Sequence, residues 1–361
     1  MRPATLAAGI VTLVVAACPV LSTVSSRAAA PSRSQQQGPM APPSSDSGPT
    51  PAPSSPTQEP PMASQTLKVR TSLVDVFVTV RDHHNEIIPD LTQKDFTVYE
   101  DGHEQKISYF AKEVDMPITL GLMMDTSGSM DRLINAEQDT ASRFVKEIMR
   151  PKDEAMVIGF DFDANLLADF TEDTNVLVRA IHHAQISSAA GGTVVNSGPF
   201  PTNNLGGTHF YDAIYLACHD ELTSQVGRKA LVALTDAEDE GSHLTLNDAV
   251  ESAQRADAVV HVLLMNDLSE FYGRGMDYNG GSVAAKLADE TGGRVIDVHN
   301  EKTLEKAFAE IEEELRSQYV LGYYPENANM DGSYRKIKVD VSRDGARIRA
   351  RKGYYAIAPA M

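Results

Sequence analysis

The chain has 361 residues, which is enough for a sizeable hydrophobic core and for more than one domain. Its formal net charge of -18 argues against nucleic acid as a partner, because an acidic surface repels phosphates. Cys18 and Cys218 are its two cysteines, which excludes a disulfide framework and a cysteine-rich metal site. We expect Cys218 to be a buried, small apolar residue.

Residues 1–30 are typical of an export signal. A positive charge precedes an apolar run at residues 6–17, which is too short to span a bilayer, since a spanning helix takes roughly 20 residues. The sequence Val-Ala-Ala-Cys ending at Cys18 is similar to a bacterial lipobox, whereas the alanines at 28–30 would suit ordinary cleavage. Both remain open. We expect a periplasmic, cell-envelope or secreted protein that contacts a membrane only through a lipid anchor at Cys18.

Residues 31–63 predict a disordered linker. Ten of the nineteen prolines fall here, among Ser, Gln and Gly, with almost nothing apolar to bury. Such a composition cannot offset the entropy lost on ordering. At ~3.1 Å per residue, the extended segment would reach on the order of 100 Å. We therefore expect a semi-extended tether between the export signal and the folded part.

The segments 64–116 and 318–361 both have the alternating pattern of half-buried strands. In residues 73–80, valine occupies every second position and would form one buried face. Residues 96–99 predict a second strand, and residues 106–110 are its predicted hairpin partner.

The C-terminal segment repeats this pattern. Residues 334–342 and 346–351 predict two strands, and the pair Asp344-Gly345 between them predicts a hairpin turn. Neither end of the chain holds enough strands to be stable alone. We therefore predict that strands from both ends form one small β-sandwich.

Residues 117–317 alternate apolar strands with amphipathic helices. Strands are predicted at 118–124, 155–160, 166–170, 230–235, 259–265 and 294–298. Helices are predicted around 141–148, 211–222, 246–253, 283–287 and 304–315. This alternation predicts an α/β fold with a doubly wound, mostly parallel sheet.

Hard oxygen ligands collect at one edge of this predicted sheet. Asp125, Ser127 and Ser129 follow the first strand of the unit, and Asp236 follows another. Thr208 precedes a helix that starts at the same edge. Open α/β sheets bind ligands there, outside the carboxyl ends of their strands. Hydroxyl and carboxylate oxygens suit Mg²⁺, Mn²⁺ or Ca²⁺ rather than zinc or copper.

The order Asp-x-Ser-x-Ser, then Gly-Gly-Thr, then a strand-terminal Asp is similar to the von Willebrand factor type A family. The resemblance covers roughly residues 117–317. Outside it, residues 91–96, 99–102 and 351–355 are similar to a bacterial group of exported proteins related to that family. One departure is Ala237, where family members commonly have glycine; the acidic residues that follow could alter metal preference.

The resemblance implies a metal-ion-dependent adhesion site made by five residues, here called the five-residue site. Ser127 and Ser129 would bind a divalent cation directly, and Thr208 would bind it directly or through water. Asp125 and Asp236 would hold it largely through water. Mg²⁺ is the expected cation, with Mn²⁺ or Ca²⁺ open. The resemblance also implies a protein partner whose carboxylate completes the coordination.

Each of these residues has a simpler interpretation. Ser127 and Ser129 could cap the helix that follows, Asp125 could accept from its first amides, and Thr208 could be an N-cap. The three motifs occur in the order found in the family, and all of them fall at the same predicted sheet edge. Together these two observations favour a metal site.

Two other functional hypotheses remain. In a Mg²⁺-dependent phosphohydrolase, Asp125 would be the nucleophile and Asp236 would help to bind the metal. Ser127 stands where such enzymes need a second Asp, so we expect the protein not to be an enzyme. Alternatively, the chain is an envelope scaffold with a vestigial metal site.

Two further patterns predict no metal site. Residues 161–172 have the acidic spacing of a calcium-binding loop, but Leu166 stands where that loop needs glycine. We expect a hairpin turn with solvated acids there. No Cys/His set has zinc spacing, and we interpret the histidines, including His182 and His183, as surface residues.

Overall fold

The computed structural model describes residues 73–113, 116–186, 207–265 and 279–357. The predicted export signal, Cys18 and the linker lie outside these residues, as do residues 187–206 and 266–278. The α-helices are α1 (Ile134–Ile148), α2 (Thr174–His183), α3 (Phe210–Leu216), α4 (Leu246–Arg255), α5 (Gly280–Thr291) and α6 (Glu301–Leu315). In the described part of the chain, no helix is long and apolar enough to cross a membrane.

The strands form three sheets. They are β1 (Val74–Arg81), β2 (Phe96–Glu100), β3 (His103–Gln105), β4 (Ile107–Glu113), β5 (Ile118–Asp125), β6 (Glu154–Phe160), β7 (Ala164–Thr171), β8 (Arg228–Thr235), β9 (Ala258–Met265), β10 (Val295–Val298), β11 (Gln318–Tyr323), β12 (Tyr334–Val341), β13 (Arg347–Arg349) and β14 (Gly353–Tyr355).

The central sheet has the order β10-β9-β8-β5-β6-β7, and only β7 runs antiparallel to its neighbour. This confirms the predicted α/β fold with a doubly wound, mostly parallel sheet. The order of the strands reverses between β5 and β8. Ligands of such sheets bind in the crevice at this reversal. The carboxyl ends of β5 and β8 are therefore where a site is expected.

Helices cover both faces of this sheet. The side chains of β5 are all buried, and those of Leu120, Leu122 and Met124 pack with α1, α2 and α6. Met123 faces the other way, into the core that α3, α4 and α5 share with the sheet. Strands buried on both faces need continuous apolar runs, which is why these segments could be predicted.

The flanking strands form a β-sandwich, as predicted. One sheet has the order β13-β1-β11-β4 and the other β14-β12-β2-β3. The alternating valines of β1 lie in the core between the two sheets, together with Tyr319 and Ile337. A buried polar network crosses this core, in which the hydroxyls of Tyr323 and Tyr354 donate to Oε2 of Glu100, at 2.8 and 2.9 Å.

The α/β unit is inserted between two adjacent strands of the sandwich. The chain enters it from β4 and returns through β11, and these strands pair antiparallel with Glu113 opposite Gln318. On its other side β11 pairs antiparallel with β1, with Tyr319 opposite Val78 and Tyr323 opposite Val74. Both connections to the α/β unit therefore leave from the same end of one sheet.

Two predicted hairpins are wrong. The partner of β2 is the short strand β3, whereas β4 crosses to the other sheet beside β11. Likewise, β12 and β13 flank Asp344-Gly345 but lie in different sheets, with β13 paired to β1. Alternation fixes which face of a strand is buried, and it leaves open which sheet the strand joins.

Candidate metal centre

Asp125 is the last residue of β5 and is fully buried. Its Oδ1 accepts a hydrogen bond of 2.9 Å from the backbone N–H of Ser127. Its Oδ2 accepts one of 2.6 Å from the hydroxyl of Thr235, at the end of the neighbouring strand β8. One oxygen is thus oriented by the loop that follows β5 and the other by the end of β8.

Ser127 and Ser129 lie at the mouth of the crevice, with their hydroxyl oxygens 3.0 Å apart. Ser127 is buried and Ser129 is exposed. Ser127 occupies the N-cap position of the short 3₁₀ helix Gly128–Met130, but its side chain makes no cap hydrogen bond. The N-cap of α1 is Leu133, so neither serine caps that helix. The two hydroxyls remain available to an ion that approaches from solvent.

Asp236 follows β8 and is buried. Its Oδ1 accepts a hydrogen bond of 3.1 Å from the backbone N–H of Glu238, and its side chain is also hydrogen-bonded to Ser129. Ala237 has a φ of 57°, in the left-handed region that favours glycine. Such a backbone costs a residue with a Cβ roughly 1–2 kcal/mol. The departure from glycine therefore leaves local strain beside the site.

Thr208 is held between two loops. His209 N–H donates to the carbonyl of Asp161 at 2.6 Å, and Glu240 N–H donates to the carbonyl of Thr208 at 2.8 Å. Gly207 has a φ of +127°, and a Cβ there would collide with the Glu240 carbonyl, so only glycine fits. The N-cap of α3 is His209, so the interpretation of Thr208 as an N-cap is wrong.

Glu137 is a third acidic residue at this site, beside Asp125 and Asp236, and sequence reasoning missed it. It lies on α1, is fully buried, and neither carboxylate oxygen has a hydrogen-bond partner among the described residues. Burial raises its pKa well above the usual value, and the charges of Asp125 and Asp236 raise it further. The available signal was its spacing from Ala141 and Phe144, which puts it on the buried face of the helix.

The site concentrates negative charge. Burial raises the pKa of Asp125 to about 7, and the charge of nearby Asp236 adds to this. The pKa of Asp236 is also raised, chiefly by burial. Buried carboxylates without a counter-charge are costly. The unpartnered Glu137 carboxylate behind these two acids fits a divalent cation at the mouth, because the ion would supply the missing positive charge.

Two predictions about side-chain exposure hold only in part: Asp169, Glu172, His182 and His183 are exposed as predicted, whereas one acid and two histidines are not. Asp161 is buried in the turn between β6 and β7, where its carboxylate accepts hydrogen bonds from Thr126 Oγ1 at 3.3 Å and from Asp163 N–H at 3.0 Å. His209 and His261 are buried as well. Cys218 is buried and unpaired, as predicted, and burial raises its pKa to about 12.

Comparison with known proteins finds one family. Residues 120–239 match the family model of the von Willebrand factor type A domain. That range contains all members of the five-residue site. A search among curated proteins finds no match to this chain.

Three solved structures are similar to the chain at low identity. A von Willebrand factor type A structure from Catenulispora acidiphila has 14% identity and a TM-score of 0.44, over 73% of either chain. The vWF domain of the type V pili tip protein Mfa5 from Porphyromonas gingivalis has 13% identity and a TM-score of 0.41, over 56% of this chain and 96% of that one. Proximal thread matrix protein 1 from the mussel byssus, with a zinc-occupied MIDAS motif, has 12% identity and a TM-score of 0.44, over 60% of this chain. The similar region covers 49% of that mussel protein, about half its length.

Proposed function

The chain carries a von Willebrand factor type A domain, a general adhesion and protein-interaction fold, and from this premise we propose that it binds a protein partner through a divalent cation. Mg²⁺ is the proposed ion, with Mn²⁺ and Ca²⁺ as alternatives that the same oxygen ligands suit. Ser127, Ser129 and Thr208 would contact the ion, and Asp125 and Asp236 would hold it through water. The partner would supply a carboxylate.

The single observation that carries this proposal is the buried, unpaired carboxylate of Glu137 behind Asp125 and Asp236. Three acids around one crevice repel one another, and a cation at its mouth relieves that repulsion. The hydroxyl of exposed Ser129 opens the ion position to solvent. Because hydroxyl ligands carry no charge, the ion would stay electrophilic enough to attract an outside carboxylate.

We also propose that the protein is exported and is not an enzyme. Export rests on the composition of residues 1–30, and the tether at 31–63 would display the folded part away from its anchor. The absence of catalysis rests on Ser127, which stands where a phosphohydrolase of the aspartyl-phosphate type needs its second Asp. A phosphoester panel with Mg²⁺ tests this, and turnover that Asp125→Asn abolishes would contradict it.

Calorimetry with Mg²⁺ and Mn²⁺ on the full chain tests the ion site. Wild type should bind about one equivalent, and Asp125→Ala should lose this binding. The matched control is Asp169→Ala, which removes an exposed carboxylate from β7 in the same sheet. Equal binding by wild type and Asp125→Ala would rule out the proposed site.

Partner capture is tested with an envelope extract. Immobilised wild type should retain a protein with Mg²⁺ present, EDTA should release it, and Asp125→Ala should retain none. Blocking carboxylates on the extract should also prevent retention. If ion binding holds but no protein is retained in a metal-dependent way, the scaffold hypothesis replaces partner capture.

A further inference from the structure

A second group of metal-binding side chains lies beside the five-residue site. His209, Asp212 and His243 each offer one ligand atom, and these three atoms lie within 4.8 Å of one another. His209 and Asp212 are buried at the start of α3. The side chain of His243, on the loop between β8 and α4, is 51% exposed. Sequence spacing gave no sign of this cluster, because only the fold brings the loop to α3.

The imidazole of His209 lacks a partner at one ring nitrogen. The residue is 7% exposed, and its Nε2 has no hydrogen-bond partner within the part of the chain that the structure describes. This nitrogen faces the loop that carries His243, since a Cβ on Gly241 would lie 3.0 Å from it. Buried polar atoms nearly always have a partner. The unpartnered nitrogen is therefore available to a bound ligand.

Asp212 fixes the position of His243 and of the loop that carries it. Its Oδ2 accepts from the backbone N–H of His243 at 3.0 Å, and Nδ1 of the same histidine lies 3.0 Å from that oxygen. Its Oδ1 accepts from Leu244 N–H at 2.9 Å. The rings of His209 and His243 stand at 87° to each other, with centroids 5.9 Å apart. His243 is thus held in place by bonds to a neighbouring carboxylate, as histidine ligands of metal sites commonly are.

We propose that His209, Asp212 and His243 form a second metal site, which takes Zn²⁺ or a similar transition-metal ion. Two imidazoles and a carboxylate suit Zn²⁺ or Co²⁺, and Mg²⁺ prefers oxygen ligands alone. Around a tetrahedral zinc with bonds of about 2.0–2.1 Å, ligand atoms lie roughly 3.4 Å apart. Because the three atoms lie within 4.8 Å of one another, no separation would have to shorten by more than about 1.4 Å. The solvent side leaves the fourth position to water or an outside ligand.

This second site differs in chemistry from the five-residue site and does not depend on it. His209 follows Thr208 directly, so an ion bound here would also tie the backbone of Thr208 to the loop after β8. The two sites would select different ions, because one offers oxygens only and the other offers nitrogen. Excess Mg²⁺ therefore occupies the first site without competing at the second.

The test is a Co²⁺ and Zn²⁺ titration of the full chain in excess Mg²⁺. Co²⁺ bound by imidazoles in a four- or five-coordinate site gives visible absorption bands, and Zn²⁺ should remove them by displacement. We expect one equivalent of Co²⁺ to bind to wild type. His209→Gln and His243→Ala should each lower the affinity at least 30-fold. His219→Ala is the matched control, because His219 also contacts an acidic side chain, Asp220, but is exposed and outside the cluster.

Mg²⁺ binding and circular dichroism of each variant establish that it is folded. Retention of full Co²⁺ and Zn²⁺ binding in folded His209→Gln and His243→Ala would overturn the proposal. So would binding that only Asp125→Ala removes, since Zn²⁺ would then occupy the five-residue site. Failure of wild type to bind either ion at millimolar concentration would also overturn it.

Discussion

The hydroxyl of Thr235 donates a 2.6 Å hydrogen bond to Oδ2 of Asp125, and so joins the ends of two adjacent parallel strands. The same hydroxyl oxygen accepts a hydrogen bond of 2.9 Å from the backbone N–H of Ala237. One side chain therefore orients a proposed metal-binding carboxylate and also holds the strained residue beside Asp236. Thr235 makes no proposed contact with the ion itself.

Thr235→Val should weaken Mg²⁺ binding while the fold stays intact. The change keeps the shape of the side chain but removes the bond to Asp125, and loss of such an orienting partner costs roughly 10–100-fold in metal affinity. Calorimetry measures the effect. Thr119→Val is the control, since Thr119 is buried at the start of β5, far along the strand from Asp125. Equal losses in both variants would mean that the effect is a general loss of packing.

Glu137→Gln should stabilise the metal-free protein and reduce the stabilisation that Mg²⁺ gives. The variant removes a buried, unpartnered negative charge, so we expect a gain of about 1–2 kcal/mol in the free energy of unfolding at pH 8. Because the pKa of Glu137 is raised in the folded state, the wild type loses stability as pH rises above the ordinary value of 4.5.

The difference between Glu137→Gln and wild type should therefore shrink as pH falls towards 4.5. Urea denaturation with and without Mg²⁺ at several pH values measures it. Asp139→Asn, on the exposed face of the same helix, should leave stability within about 0.5 kcal/mol of wild type. A Glu137→Gln protein that is less stable than wild type without metal would contradict this account.

Gly207→Ala should disturb the five-residue site. An alanine Cβ would meet the carbonyl of Glu240, and its φ of +127° disfavours a residue with a side chain. The backbone at Thr208 must then shift, so we expect a fall in Mg²⁺ affinity of roughly tenfold or more. Gly128→Ala is the control for glycine replacement near the site, because a Cβ there has nothing within 4 Å. Wild-type affinity in Gly207→Ala would show that Thr208 is not needed in this position.

His261 should make the protein less stable in mild acid. It is fully buried on β9, neither ring nitrogen has a hydrogen-bond partner among the described residues, and burial lowers its pKa from 6.5 to about 4. Between these values the unfolded chain binds a proton that the folded protein does not. Stability is therefore fully present above pH 6.5 and falls as pH drops towards 4.

At pH 5 this effect should cost about 2 kcal/mol, at 1.36 kcal/mol per pKa unit. His261→Leu should lack it, so the stability difference between variant and wild type should grow in the variant's favour from pH 7.5 to pH 5. Urea denaturation at a fixed Mg²⁺ concentration measures the stability of both proteins at each pH. His299→Leu, which changes an exposed histidine, should follow the wild-type pH dependence. Parallel pH profiles for wild type and His261→Leu would contradict the prediction.

Arg335→Met should destabilise the β-sandwich. The guanidinium, buried between the sheets, donates to Oε1 of Glu100 at 3.3 Å. Without it the Glu100 carboxylate stays buried and lacks its positive partner, which costs about 3–5 kcal/mol. Adding Glu100→Gln should recover part of the loss. Lys338→Met, on the same strand but in an exposed pair with Asp340, should change stability by less than about 1 kcal/mol. A small loss of stability in Arg335→Met would mean that hydrogen bonds from the hydroxyls of Tyr323 and Tyr354 are enough to stabilise the buried Glu100 carboxylate.

The central sheet could be predicted from sequence because its strands are buried on both faces. Strands β5, β8 and β9 are continuous apolar runs, and their observed bounds differ from the predicted ones by one or two residues. The sandwich was predicted as a whole, but β4 was placed beside β2. A strand with one buried face carries the same alternation whichever sheet it joins, so the pattern could not decide this.

Candidate site residues could be named from sequence where they follow strands or, as at Thr208, precede a helix at the same sheet edge. Asp125 and Asp236 lie at strand ends in the sequence and at adjacent strand ends in the structure. Glu137 was missed because acidic residues are common on helices and mostly lie exposed. His209 and His243 were missed because contact between them depends on how the loop after β8 returns to α3. Local patterns carry no such information.

The insertion between β4 and β11 also decides how the protein responds to mechanical force. If a captured partner pulls on the α/β unit, tension enters β11 at Gln318, whereas an anchor would pull on β1 from Val74 at the opposite end of the paired strands. Opposed forces at opposite ends load the hydrogen bonds between β1 and β11 in shear. These hydrogen bonds then resist the force together and do not break one after another. Under such a pull, the pairing that lets the α/β unit interrupt the sandwich would carry the load in shear.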